Sequence, residues 1–206
     1  MNYKHKMLND MAQINFKKDN QMKKIVGTTL VAMALASGVM ASGITTAGDA
    51  FIQGTIYNTE ADTSSNPSTT GYEVGFGGHG HFGDTQVLFG GAINYGYQSF
   101  DFASGTTNDM STYGGELHLG YTFIDDLDVF GIVGYYGTSM DYSFYDGSSD
   151  TVTGGGVRYG AGIDYKIWEH LSLGVEYTET NYDFDTTGDL STVKFTNIGG
   201  NIKFRF

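Results

Sequence analysis

The side chains best equipped for chemistry in this sequence are three histidines and a set of dispersed charges. His79 and His81 stand at i and i+2, the spacing that puts both on one face of a β-strand near the short turn at Gly83, and His118 is expected at a similar depth two strands away. Imidazoles so placed can share a metal ion, but inward-facing histidines also act as plain polar filling, and no metal site is assigned. Asp183-Phe184-Asp185 with Asp189 has part of the look of a calcium loop, yet the spacing of an EF-hand and its terminal Glu are missing. No nucleophile elbow or comparable motif accompanies the histidines. The chain is therefore expected to be neither an enzyme nor a cofactor binder. With 0 Cys, a disulfide framework and thiolate metal sites are excluded.

Positioning comes from period-two alternation, which dominates from Asp49 onward and means strands. Tyr72, Val74, Phe76 and Phe82 share one face, with Glu73, Gly75, Gly77, His79 and His81 on the other. Tyr113, Leu117, Leu119, Tyr121 and Phe123 oppose Thr112, Glu116, His118 and Thr122. Val157, Tyr159, Ala161, Ile163, Tyr165 and Ile167 oppose Arg158, Gly160, Gly162, Asp164 and Lys166. Such runs number eight, at about 49–59, 71–82, 86–100, 111–123, 128–144, 155–167, 171–184 and 192–206. Tight connections at Gly83-Asp84-Thr85, Asp125-Asp126-Leu127 and Trp168-Glu169-His170 alternate with longer polar ones around 61–70, 101–110, 145–154 and 185–191. That layout is a transmembrane barrel with both termini on the periplasmic side.

The N-terminus points to the same compartment. Met22-Lys23-Lys24 precedes an apolar run from Ile25 to Ala36 and then Ser37-Gly38-Val39-Met40-Ala41, the three-part pattern of a secretory signal with cleavage between Ala41 and Ser42. The apolar run is shorter than the roughly 20 residues a membrane-spanning helix needs. Residues 1–21 are polar and without apolar period, so the signal is read as 22–41 with translation from Met22, a long n-region being the alternative. Removing residues 1–41 takes away Lys4, Lys6, Lys17, Lys18, Lys23 and Lys24 with Asp10 and Asp19, and moves the net charge from −12 to −16. So acidic a chain is not expected to bind nucleic acid.

The remainder, 42–206, reads as one domain. In a soluble sandwich the second face would be rich in Lys, Glu and Thr; here it is dominated by Gly with scattered charges, so the apolar face is expected to meet lipid. Tyr57, Tyr72, Tyr97, Tyr113, Phe123, Tyr165 and Trp168, near strand ends, are expected to form the interfacial girdles. Arg158, Lys166, Lys203 and Arg205 then fall inward with Glu73, Glu116, Asp164 and Glu176. Such charges either plug an eight-stranded lumen by pairing or line a narrow gated pore.

The chain ends Ile198-Gly199-Gly200-Asn201-Ile202-Lys203-Phe204-Arg205-Phe206, with apolar residues at every second place back from a terminal aromatic. This resembles the terminal β-signal of outer-membrane proteins. Together with the signal peptide and the strand count, the chain resembles the small outer-membrane β-barrel family that includes the OmpA membrane domain, OmpX and the opacity proteins. The resemblance implies an all-β, eight-stranded antiparallel up-and-down barrel without the peptidoglycan-binding domain that OmpA appends. It also implies recognition of Ile202, Phe204 and Phe206 by the barrel-assembly machinery. Outer-membrane lipids and lipopolysaccharide are the other expected partners of what is expected to be a monomer. A structural or surface-interaction role through the long extracellular loops is expected, with a small porin and, behind it, a lipid A-modifying enzyme as alternatives. Deleting Phe206 should abolish folding into the outer membrane, measured as loss of the heat-modifiable gel band from membrane fractions; normal assembly would contradict the β-signal reading.

Overall fold

The structure, a computed structural model, describes residues 48–63, 66–101, 107–143, 149–186 and 189–206. The expected signal peptide and its cleavage point at Ala41 and Ser42 lie outside the described residues. Eight strands follow in order: β1 Gly48–Asp62, β2 Ser68–His81, β3 Val87–Asp101, β4 Thr107–Ile124, β5 Leu127–Ser143, β6 Ser149–Trp168, β7 Leu171–Thr186 and β8 Asp189–Arg205. Each pairs antiparallel with its sequence neighbours, and β1 pairs with β8, closing the barrel.

The closing seam runs from Phe51 opposite Arg205 to Asp62 opposite Lys194. It is extended by a two-way backbone exchange in which the Ala50 amide donates to the Phe206 carbonyl at 3.1 Å and the Phe206 amide donates to the Ala50 carbonyl at 2.9 Å. Closure removes the unpaired edges that an open sheet would expose.

One face of every strand is apolar and exposed. Ile56 is 67% and Leu119 64% exposed, while the opposite face includes Lys203 and Asp164 at 0%. That is the inversion expected from the sequence: the oily side points away from the barrel and the polar side is buried within it.

Strand boundaries differ from expectation at one end. β1 and β2 run to Asp62 and from Ser68, β4 begins at Thr107, β6 at Ser149 and β8 at Asp189, so much of what the polar composition suggested as loop is paired strand. Aspartate, asparagine and glycine are poor strand formers alone, but ladder pairing such as Asn108 with Tyr142 and Asp141 with Thr151 holds them extended. With 14 to 20 residues each, the strands exceed the roughly 9–11 residues that cross a bilayer, and the surplus projects as hairpins. The Asp183-Phe184-Asp185 stretch lies in such a hairpin, paired with Thr192, Ser191 and Leu190. It is ladder rather than calcium loop. At the other end the connections are tight, and Gly83 turns the chain at φ +54°, a conformation glycine adopts without steric cost.

Register sets the barrel's shape. Followed from strand to strand through directly paired residues, Phe51 leads to Gly77, Ala92, Glu116, Gly134, Arg158, Thr180 and Phe195, and the circuit re-enters β1 at Ala61, ten residues from where it left. The strands are therefore tilted to the barrel axis. Many inward glycines make room for a neighbour. In the row Gln53, Gly75, Asn94, Gly114, Tyr136, Gly156, Tyr182, glycine alternates with a bulky side chain. A Cβ at Gly114 would lie 2.5 Å from Tyr136 Cγ. Gly114→Val should therefore destabilise the barrel by about 1–3 kcal/mol, the usual cost of overpacking, read as a lower urea midpoint of the refolded protein in micelles.

Candidate functional site: the filled lumen

Three levels of side chains occupy the interior. Nearest the tight turns, Lys203 Nζ lies 2.7 Å from Asp164 Oδ2 and 3.5 Å from Glu176 Oε1. The same ammonium sits 5.1 and 4.8 Å from the ring centres of Phe51 and Phe130, a cation–π arrangement. Arg205 lies 3.0 Å from Asp128 Oδ2, 3.7 Å from Asp164 Oδ2 and 3.8 Å from Asp49 Oδ2. Asp49 alone in this group is substantially exposed.

At mid-height Arg158 Nη1 bonds Glu73 Oε2 at 2.9 Å, with Glu116 Oε2 at 3.9 Å. Its guanidinium carbon is 3.5 Å from the centre of the Tyr136 ring, whose hydroxyl donates to Glu116 Oε2 at 2.6 Å. A chain of amides continues from there: Asn94 donates to the Tyr136 hydroxyl and Gln53 to the Asn94 carbonyl oxygen. Glu116 Oε1 lies 3.0 Å from His118 Nε2, and His118 Nδ1 is 2.7 Å from His79 Nε2.

Toward the projecting hairpins the lumen turns apolar. Ala61, Phe100, Met110, Tyr136, Met140, Tyr182, Phe184 and Phe195, drawn from β1, β3, β4, β5, β7 and β8, form one buried cluster. Nothing in the Gly-rich inward face announced it.

Of the residues singled out by sequence, Glu73, Glu116, Arg158, Asp164, Glu176 and Lys203 are buried in these layers. Lys166 faces inward beside the tight turns but is only partly buried, and among the described residues it forms no ion pair. Tyr57 departs from its expected place in the girdle. It shares the inward phase of Gln53 and Thr55, is 7% exposed, and lays its ring over Gly71, the space a side chain there would need. Tyr72, Tyr113, Tyr165 and Trp168 face outward as girdle residues must, and the rings of Tyr72 and Tyr97 sit 5.6 Å apart.

Asp128 was missed. In β5 both faces are apolar, Phe130 and Ile132 inward with Val129 and Val133 outward, so alternation carries no phase information there. Only the phase shared with Phe130 marks Asp128 as interior. His79 and His118 meet each other, whereas His81 instead reaches the Thr122 hydroxyl at 2.8 Å, so the three do not converge. Among the described residues no group of three or more His, Cys, Asp or Glu is arranged to hold a metal ion. Ile202, Phe204 and Phe206 point outward and are about half exposed or more.

The family model for the outer membrane protein beta-barrel domain matches residues 28–206. The chain belongs to that family. The barrel accordingly resides in the outer membrane, with its exposed apolar face toward lipid and, by the rule for such barrels, its tight turns toward the periplasm. No curated protein is significantly similar to it in sequence. Among solved structures, Neisserial surface protein A superposes with a TM-score of 0.59 at 13% identity, covering 78% of this chain and 99% of that one. Ail of Yersinia pestis, solved with the heparin analogue sucrose octasulfate, gives 0.55 at 15% identity over 77% and 99% of the two chains. A major outer membrane protein from Thermus thermophilus gives 0.52 at 10% identity over 78% and 100%. At these identities the likeness is one of fold.

Buried pairs of this kind are costly to break and need not stabilise as a unit, because desolvation offsets much of their attraction. Lys203→Met should cost about 3–5 kcal/mol by removing the nearer of the two cations that face the buried Asp164, while adding Asp164→Leu should restore part of the loss. Equilibrium urea unfolding of the two variants would show this, and equal costs for the single and double changes would contradict the pairing.

Proposed function

We propose that this barrel is a surface-interaction protein of the outer membrane, anchored by a closed lumen and making its contacts through the hairpins that project beyond the lipid. The observation that carries this reading is the apolar cluster above the ion-paired layers. It occupies the bore at the extracellular end with Phe100, Met110, Met140, Phe184 and Phe195, packed among the buried Thr59, Gln98, Asn108 and Thr138, so that bulky side chains rather than water take up the interior. Export by the segment 22–41 and insertion by the barrel-assembly machinery through Ile202, Phe204 and Phe206 belong to the same proposal, as do lipopolysaccharide neighbours and a monomeric state.

The hairpin surface suggests the kind of partner. Glu60, Asp62, Asp109, Asp141, Asp150 and Asp183 are exposed there, and Lys194 is the one basic side chain among the described residues of that region. Its ammonium is already engaged by Glu179 Oε1 at 3.2 Å. Ail was solved with a polyanion; this surface has the opposite character and favours cationic or hydroxyl-bearing partners.

A small porin is the competing reading, supported by the charges that line the lower two levels. A catalytic reading gains no support from the histidines, since His79 and His118 are 3% and 2% exposed inside the barrel and out of reach of lipid. Planar bilayers decide between the first two. The purified, refolded barrel should be electrically silent. Discrete unitary steps from the unaltered protein would favour the porin. Exchanging the hairpin ends for short turns should leave assembly intact and remove binding of cells to a host or bacterial surface.

A further inference from the structure

Two buried imidazoles touch in the lumen, and neither the ion pairs nor the apolar cluster accounts for them. His79 on β2, Gly90 on β3 and His118 on β4 are directly paired in one inward row. Gly90 has no side chain to keep its neighbours apart, and a Cβ there would run into the His79 ring. The two rings therefore meet over it, His79 Nε2 to His118 Nδ1 at 2.7 Å. Phe51 and Phe130 wedge them in place: ring centres lie 5.0 Å apart for Phe51 and His79, 5.4 Å for Phe130 and His79, and 4.9 Å for Phe130 stacked on His118. Both imidazoles are buried.

The proton positions follow from the partners. Asn94 donates to the Tyr136 hydroxyl, so the hydroxyl's own proton goes to Glu116 Oε2. Glu116 Oε1, a carboxylate oxygen, then accepts from His118 Nε2 at 3.0 Å. With that N–H committed, neutral His118 offers a bare Nδ1, and His79 donates to it from Nε2. His79 Nδ1 is left bare, buried and without a partner from the chain. One added proton is absorbed without moving either ring: it arrives at His79 Nδ1, the Nε2 proton of His79 passes to His118 Nδ1, and His118 becomes an imidazolium against Glu116. A second added proton sets N–H against N–H and charge against charge at the same contact, where no hydrogen bond can form.

We propose that the His79–His118 pair is a site for one proton and, by refusing a second, an acid-sensitive latch in the lumen. The surrounding groups fit that count. Glu116 touches the pair, Asp49 of β1 stands opposite His79 in register, and Glu73, Asp128, Asp164 and Glu176 add negative charge from β2, β5, β6 and β7. These acids favour the first proton. Arg158 of β6 and Lys203 and Arg205 of β8 are buried in the same lumen, His81 of β2 is two residues from His79, and together with the first proton they oppose the second. Unfolded, both imidazoles take a proton below roughly pH 6.5. The folded pair takes one, so below that pH the unfolded chain binds one proton more, and stability falls as the pH falls. The folding equilibrium constant then drops about tenfold per pH unit on this account alone, and parting the two rings is what relieves it. The latch operates whether or not the outer hairpins bind a partner.

The test is reversible urea unfolding of the refolded protein in micelles from pH 7 down to pH 5, for the unaltered chain and for His79→Gln, whose amide oxygen can accept from a protonated His118. Groups common to both proteins cancel in the comparison. Expected is an extra loss of stability in the unaltered protein that steepens toward about tenfold per pH unit at the acid end. Nitrogen-15 spectra of the imidazoles, recorded on the folded barrel at pH 5.5, should show three protonated nitrogens across His79 and His118. Should His79→Gln fail to fold, that proton count on the unaltered protein decides. Parallel pH profiles for the two proteins, or four protonated ring nitrogens on the pair at pH 5.5, would each overturn the proposal.

Discussion

Everything in this molecule depends on pairing backbone amides and carbonyls where no water can reach them. Within hydrocarbon an unpaired peptide group costs several kcal/mol, so a sheet in lipid has to meet itself. The seam between β1 and β8 meets that requirement, and it extends to the last residue, where Phe206 exchanges hydrogen bonds with Ala50. β8 is thus the strand on which ring closure waits. Its outward side chains, Ile202, Phe204 and Phe206, face the lipid that the closed ring must enter.

Closure has an inner cost. A ring of eight tilted strands encloses a space that side chains must fill, and the fill chosen here is graded along the axis. Ion pairs with aromatic faces beneath them occupy the periplasmic half; tyrosines that contribute a ring to one level and a hydroxyl to the next occupy the middle; aliphatic and aromatic groups finish the extracellular half. Tyr136 is the hinge of this gradation, its ring under Arg158, its hydroxyl on Glu116 and its edge in the apolar cluster. Such an interior stabilises through packing and hydrogen-bond satisfaction more than through net charge attraction, since each buried ion carries a desolvation cost.

Much of this was legible in the sequence. The strand count, the inverted faces and the inward placement of Glu116, Arg158 and Asp164 follow from alternation, which is reliable where one face is apolar and the other is Gly or charge. Reading failed where that contrast vanished. In β5, Phe130 and Val129 are equally oily, so Asp128 had no visible side. Tyr57 has the type of a girdle residue and the phase of a lumen residue, and phase prevailed. The hairpins were hidden because Asp, Asn and Gly report low intrinsic strand preference and the Ser and Thr among them are polar on both faces, while cross-strand pairing, a non-local quantity, decided their conformation. The apolar cluster was hidden for a related reason: its members come from six strands, and only the register unites them.

The ten-residue offset with which the pairing circuit returns to β1 also fixes the gauge of the tube. Strand number and stagger together determine how far the wall lies from the axis, and neither is altered by exchanging one interior side chain for another. Trimming the filling can leave cavities but cannot widen the bore; a wider channel would require a further hairpin or a new stagger, and with the latter every inward residue would acquire new neighbours at once. The wall is in this sense a rigid template, against which interior chemistry can drift and outer hairpins can diversify independently of each other.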